Sequence, residues 1–342
     1  MNMAFRSKTT PTRLSTRLKK AATALLLGTF SSLSLAMDQV TFQLDWLPGG
    51  DKAPIYVGME QGYFKEQGIE IKISHGRGST DALTKISTGI ADVGLSDLVA
   101  LLVAKANDQV PISAVYSVFS QAPHAFFTVS DSNISSVAQV EGKKIATSLF
   151  TSSNIFLPLL FSVNNVDESK VNVVKANPGA LNPMLLTGNT DVVISWITDV
   201  EKYKAQAAKA GKSLTVLPWY DAGLDFYSTA VVASDRFLAE RPDVAKRFIK
   251  AFDKAVKYTW ENPEKSGSAV HKIVPEVEVD VAADTIRSIH TLVHNDVSKV
   301  HGLGHFDSTR LATTWKWTAK AQGLREGAFN PEAAVNRDYF SE

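Results

Sequence analysis

Apolar and polar residues alternate from Val40 through Phe42 and Leu44 to Asp45, and the run stops at Pro48, Gly49 and Gly50. That alternation predicts a strand feeding a loop. From Ala53 to Gln61 the apolar spacing becomes helical and ends at Gly62, after which Ile69 to Ile73 alternates again. A glycine-bearing loop, His75 to Thr80, then leads into a helical stretch from Asp81 to Ser87. Strand, helix and strand in succession predict a parallel-type sheet covered by helices on both faces.

The pattern then repeats. Thr88 to Ser96 and Thr187 to Ser195 share T-G-x-x-D-V-x-x-S at an offset of 99 residues. In each copy a helix ends at a glycine, a turn comes next, and a buried strand carries a small hydroxyl residue to its carboxyl end. Two similar α/β lobes are expected. A strand opens after Gly142, an apolar helix runs from Ile155 to Val163, and Phe226 to Val232 reads as a strand whose Ser234 or Asp235 caps the next helix. From Pro242 onward the spacing is helical, including Val244 to Trp260 and Asp280 to Val293. The simplest arrangement is a first lobe of residues 38–125 plus 228–342, with a second lobe of residues 126–227 inserted, so that two crossings form a hinge.

Charge changes the picture at the start of the chain. Across 342 residues, 36 Lys and Arg face 35 Asp and Glu, but Arg6, Lys8, Arg13, Arg17, Lys19 and Lys20 all precede an apolar run, Ala21 to Leu35, that ends in Ser34, Leu35 and Ala36. Basic, apolar and small-residue regions in that order predict a cleaved secretory signal over residues 1–36. The run is shorter than the roughly 20 apolar residues that span a bilayer. The rest of the chain is mildly acidic and is expected free in the periplasm of a Gram-negative cell. The chain has no cysteine. That excludes disulfides, cysteine-ligated metals, cysteine nucleophiles and a lipid anchor on cysteine. Balanced charge with 9% aromatic residues also argues against a disordered chain or a nucleic-acid binder.

Several segments resemble a known family. Leu44, Asp45, Trp46 and Pro48, then Gly62 to Gly68, then Thr88 to Ser96, then Gly142 to Ile145 are similar to the solute-binding proteins of ABC importers. The similarity is to the THI5/NMT1-like branch, with its thiamine-pyrimidine, riboflavin, sulfonate and nitrate binders, and it runs from about residue 40 to 235. The resemblance implies a type II periplasmic binding protein fold, two α/β lobes joined by a hinge with the ligand cleft between them. It also implies a monomer whose partners are a small-molecule ligand and an ABC permease with its ATPase. Yeast pyrimidine synthases share this fold family, and the resemblance assigns them a cysteine-rich iron-binding segment that a cysteine-free chain does not supply.

Ligands of open α/β sheets settle beyond the carboxyl ends of strands and between domains. The loops there supply the candidates. Trp46, with Pro48 and Gly49 beside it, and Trp196 on the second lobe offer two aromatic faces to clamp a flat ligand. Asp97, after Ser96, either accepts hydrogen bonds from ligand N–H groups or caps the next helix. Thr151, Ser152, Ser153 and Asn154 precede a helix and present hydroxyls and free N–H groups to a carbonyl or anion. Arg77, with Gly78 and Ser79, is either a bidentate partner for a sulfonate or carboxylate or a solvated loop arginine. Phe119 lies in the loop Ser117 to Gln121, and Asp225 and Tyr227 open the last strand. Two acids against one arginine tilt the expectation toward a neutral or cationic heteroaromatic solute, with a sulfonate, taurine, nitrate or carboxylate as the alternative.

Catalytic signatures are missing. Gly76-x-Gly78 lacks the third glycine of a dinucleotide fingerprint, no P-loop occurs, and the sequence around Ser96 is not a nucleophile elbow. His290 and His294 at helical spacing, with His301 and His305, resemble metal ligands only in spacing. They are expected to be surface and packing residues. The chain therefore reads as a binder with no catalytic residue, cofactor or metal.

Overall fold

Among the described residues, ten strands form two five-stranded sheets. They are β1 (Asp38–Gln43), β2 (Ile69–Ser74), β3 (Val93–Asp97), β4 (Ile112–Ser117), β5 (His124–Val129), β6 (Lys144–Ser148), β7 (Asn172–Ala176), β8 (Val192–Trp196), β9 (Leu214–Pro218) and β10 (Thr229–Ser234). The first sheet has the order β2-β1-β3-β10-β4 and the second β7-β6-β8-β5-β9. This computed structural model describes residues 1–4 and 37–340, so the expected signal segment lies almost wholly outside the described residues.

The repeat seen in the sequence is a repeat of architecture. β3 and β8 are the central strands, each preceded by a glycine at positive φ, Gly89 at 76° and Gly188 at 73°. The repeated aspartates do the same work in each lobe. Asp92 Oδ2 accepts from the Thr41 N–H at 2.8 Å, and Asp191 Oδ2 accepts from the Lys144 N–H at 2.8 Å. Each carboxylate thus ties the start of a central strand to its parallel neighbour, supplying an acceptor where the ladder has none.

The sheets are mixed, where a parallel type was expected. β1, β2 and β3 are parallel, as are β6, β7 and β8, but β10 is antiparallel to β3 and β4, and β5 to β8 and β9. The cause lies in the connections: β5 and β10 begin where the chain has just crossed from the other sheet, so they start at the end where the parallel strands finish. The crossings are residues 118–123 and 219–228, and they are bonded to each other. The Ser228 N–H donates to the Phe119 carbonyl at 3.0 Å, and the Phe119 N–H to the Thr229 carbonyl at 2.9 Å. The strand expected from Phe226 begins at Thr229, which leaves Asp225 and Tyr227 in the second crossing.

Helices come after β10. The helix Pro242–Glu261 lays Phe248 and Phe252 on Phe42 of β1, with ring centroids 5.9 and 6.3 Å apart. Ile289 divides the expected helix 280–293 into Val279–Ser288 and His290–Val293. The helix Ser308–Ala321 belongs to both halves: Leu311, Trp315 and Ala319 join the core beside β4 and β10, while Trp317 and Ala321 pack against the core of the second sheet.

Candidate functional site

The lobes meet where the carboxyl ends of β1, β3 and β8 face the loops at Gly78 and Thr151. The space between them is lined by Asp45, Trp46, Asp51, Lys52, Gly78, Ser79, Thr151, Ser195, Trp196 and Thr198, and measures about 10 Å³. That is near the room one water molecule needs, so the lobes are in contact here. An adjoining cavity of about 640 Å³ shares Asp51 and Thr198 with it and is lined also by Pro48, Gly49, His75 and Lys202.

Lys52 is the dominant charge. Its side chain is 1% exposed, and its ammonium lies 2.6 Å from Asp45 and 2.9 Å from Asp51, carboxylates that are themselves buried. Nζ also sits 5.9 Å from the centroid of the Trp196 ring. Burial works against the ammonium, but the charges of Asp45 and Asp51 outweigh it and hold its pKa above the ordinary lysine value. Burial raises the pKa of Asp51, and Lys52 offsets only part of that. With two carboxylates to one ammonium, a negative charge is left over at the cleft.

Glycine at 78 lets the lobes approach. A Cβ built there would stand 2.1 Å from the Phe150 carbonyl oxygen of the opposite lobe, and its φ of 153° already favours glycine. Around it the Thr80 Oγ1 donates to the Phe150 carbonyl at 3.0 Å, and the Ser148 Oγ donates to the Arg77 carbonyl at 2.8 Å. The Arg77 guanidinium is 55% exposed, bonded to Asp81 at 2.6 Å and laid over the Phe150 ring at 4.5 Å. It faces a surface depression shared with Ser148 and Lys175 and does not line the cleft cavity.

Of the residues read from the sequence, the structure brings Trp46, Gly78, Ser79, Thr151 and Trp196 to the cleft cavity and Pro48 and Gly49 to its neighbour. Ser96, Asp97, Ser152 and Ser153 lie beneath it, fully buried. Asp97 caps the helix Leu98–Asp108 by accepting from the Val99 N–H at 3.1 Å, and accepts from the Ser152 Oγ at 2.6 Å. Asn154 turns back on its own lobe, donating to the Ser148 carbonyl at 2.8 Å. Phe119 is buried in the core of the first lobe. Asp225 and Tyr227 meet the C-terminal segment instead of the cleft: Asp225 pairs with Arg310 at 2.9 Å, and the Tyr227 hydroxyl accepts from the Asp307 N–H at 2.9 Å. Sequence reasoning missed Asp45, Asp51, Lys52, Ser195 and Thr198 as cleft residues. An acid, Asp45, closing a buried strand just ahead of an adjacent acid and lysine was the available signal. Of the tail histidines, His290 and His294 stack at 4.3 Å, while His305 packs against Phe340 at 4.8 Å and His301 lies beside Asp307.

Residues 50–266 match the model of the family described as NMT1/THI5 like, well over half of the chain. The chain belongs to the NMT1/THI5-like family. The 4-amino-5-hydroxymethyl-2-methylpyrimidine phosphate synthase THI13 of Saccharomyces cerevisiae is 25% identical over 286 residues, covering 79% of this chain and 83% of the synthase. The formylaminopyrimidine-binding protein of Halalkalibacterium halodurans is 22% identical over 232 residues, covering 68% and 69%. Among solved structures, the alkanesulfonate-binding protein SsuA of Xanthomonas axonopodis pv. citri bound to MOPS superposes with a TM-score of 0.68 at 14% identity, over 88% of this chain and 98% of that one. The two lobes are therefore the periplasmic binding protein fold, as the motifs implied. Fold and binding relatives together support a solute-binding role. Among the described residues no helix is long and apolar enough to cross a membrane.

Proposed function

We propose that the protein captures a small heteroaromatic solute, of the size and kind of a pyrimidine precursor, between its two lobes and delivers it to the permease of an ABC importer. The observation that carries this reading is that Trp46 and Trp196, one from each lobe, line the same junction together with the Asp45, Asp51 and Lys52 charges, a space of about 10 Å³ here that the lobes would part to fill with a ring. Aromatic walls hold a flat ring by stacking, and buried carboxylates and an ammonium read donors and acceptors on its edge. The leftover negative charge disfavours a sulfonate or carboxylate, and Arg77, the cation an oxyanion would need, is engaged by Asp81. The reading is of a binder without catalysis. Lys52 is held as an ammonium, whereas a lysine nucleophile works as the free amine. Export by the basic and apolar leader would place the protein, acting as a monomer, in the periplasm.

The test is calorimetric titration of the mature chain with a panel of pyrimidines, flavins, sulfonates and aromatic acids. A heteroaromatic amine is expected to bind, and Trp46→Ala and Trp196→Ala are each expected to weaken it by about thirtyfold, the worth of a buried aromatic anchor of about 2 kcal/mol. Tight binding of a sulfonate, or unchanged affinity in both variants, overturns the assignment.

A further inference from the structure

Directly under the cleft wall lies a chain of polar groups that the capture of a solute does not itself require. The Trp196 indole N–H donates to the Ser153 Oγ at 3.2 Å, and that oxygen lies 2.9 Å from His124 Nδ1. On its other side the His124 Nε2 has, among the described residues, no partner except the Asp97 carboxylate, 3.4 Å away. Ser153, His124 and Asp97 are all fully buried. The ring is enclosed by Phe156, Trp196, Trp219 and Phe226, with centroids 5.5 to 5.8 Å away. Serine, histidine and acid in a row resemble a hydrolytic triad, but Ser153 does not line the cavity and its oxygen is occupied by the indole. Trp196, Ser153, Ser152 and His124 stand on the second sheet's lobe, and Asp97 ends β3 of the first.

We propose that Asp97 and His124 hold one titratable proton between them across the lobe junction, and that through Ser153 this pair fixes the orientation of the Trp196 indole in the cleft. Both are positioning residues. With the proton present, the Asp97 carboxyl donates to Nε2, and the Nδ1–H donates to Ser153. With it lost, the ring changes tautomer: Nε2–H donates to the carboxylate, and the Ser153 hydroxyl donates to Nδ1. An indole N–H can only donate, so Trp196 keeps its bond to Ser153 in both states. Burial supports this placement of the proton, raising Asp97 to about 7 and lowering His124 to about 3. The other charged group acting on Asp97 is Asp45, itself paired with Lys52; the rings packed on His124 carry no charge.

The pH dependence of urea unfolding, compared between the mature chain and two variants, tests the pair without needing the solute. Between about pH 4 and 6.5 the native pair holds one proton on Asp97 and the unfolded chain holds one on His124, so the pair contributes no slope. In Asp97→Asn the native state holds none, and the unfolding constant relative to the parent rises about tenfold per unit as pH falls below about 6.5. In His124→Gln the native state keeps its proton on Asp97 and the unfolded state releases it, so the constant falls about tenfold per unit as pH drops from about 7 to 4. Three parallel profiles overturn the proposal. Should either variant not fold, ¹⁵N spectra of the parent decide: a Nδ1–H ring below about pH 7 that becomes Nε2–H above it supports the pair, and an imidazolium forming near 6.5 refutes it. The Trp196 indole signal should shift with that titration in the parent and cease to do so in Ser153→Ala. An indole shift that survives the loss of Ser153 overturns the relay.

Discussion

At the scale of single residues, Lys52 shows how burial converts an ordinary side chain into a determinant. In sequence it comes after Pro48, Gly49, Gly50 and Asp51, a context that reads as a solvated loop. In the fold that loop is a helical turn tucked under Thr285 and Ala282, so the ammonium is closed off from solvent and is paired with Asp45 and Asp51. Lys52→Met keeps the bulk and removes the charge. It leaves two buried carboxylates unpaired, at a cost of about 3–5 kcal/mol near neutral pH. Burial, already the leading influence on Asp51, then acts unopposed and raises its native pKa further. An acid with a raised native pKa binds its proton preferentially in the folded state, so the deficit shrinks as pH falls through that pKa. Urea titrations of parent and variant at pH 8 and pH 5 should show a smaller gap at the lower pH. A gap that stays constant would show that the carboxylates are solvated.

At the scale of elements, the strands, most helices and the doubled lobe were legible because local pattern determines them. The T-G-x-x-D-V-x-x-S echo identified equivalent central strands since its glycine and aspartate have fixed local tasks, a positive φ and a strand-edge acceptor. Trp46 and Trp196 were legible because each lies where a strand ends at the junction. Asp225 and Tyr227 were not, because their neighbours come from Asp307 and Arg310, about eighty residues away, and no local period encodes such contacts. Gly78 lies between these cases: its loop was recognisable, but its need for glycine comes from Phe150 on the other lobe. Gly78→Ala puts a methyl into a backbone carbonyl that cannot move aside cheaply. The clash is between lobes, so both cores should form as before. The φ of 153° at this position also strains any residue but glycine, so the melting temperature is expected to fall modestly, while affinity for the solute found by titration falls by about tenfold or more, a moderate coupling cost for lobes held slightly apart. Unchanged affinity would mean that binding does not require this approach.

At the scale of the molecule, the proposed capture would depend on how the two crossings between the lobes bend, and the C-terminal helix is bonded to both. Arg310, in the first turn of Ser308–Ala321, donates from Nε to the Ser120 carbonyl of the first crossing at 2.7 Å and from Nη2 to Asp225 of the second at 2.9 Å. Its guanidinium also lies 5.8 Å from the Tyr227 ring. One side chain thus holds both crossings in the geometry they have when the lobes meet, while its helix packs on both lobes. A solute that touches both lobes favours the closed state only by its differential contacts, and any fixed bond that also favours closure adds to its apparent affinity. Arg310→Ala removes the clamp and leaves the sheets and their cores untouched. Small-angle scattering of the variant without solute should give a larger radius of gyration than the parent, and the affinity should weaken by about fivefold, the lower end of typical coupling. The two effects must appear together, because both report one equilibrium. A weaker affinity with an unchanged radius would instead place Arg310 in the energetics of the bound state and not in the hinge.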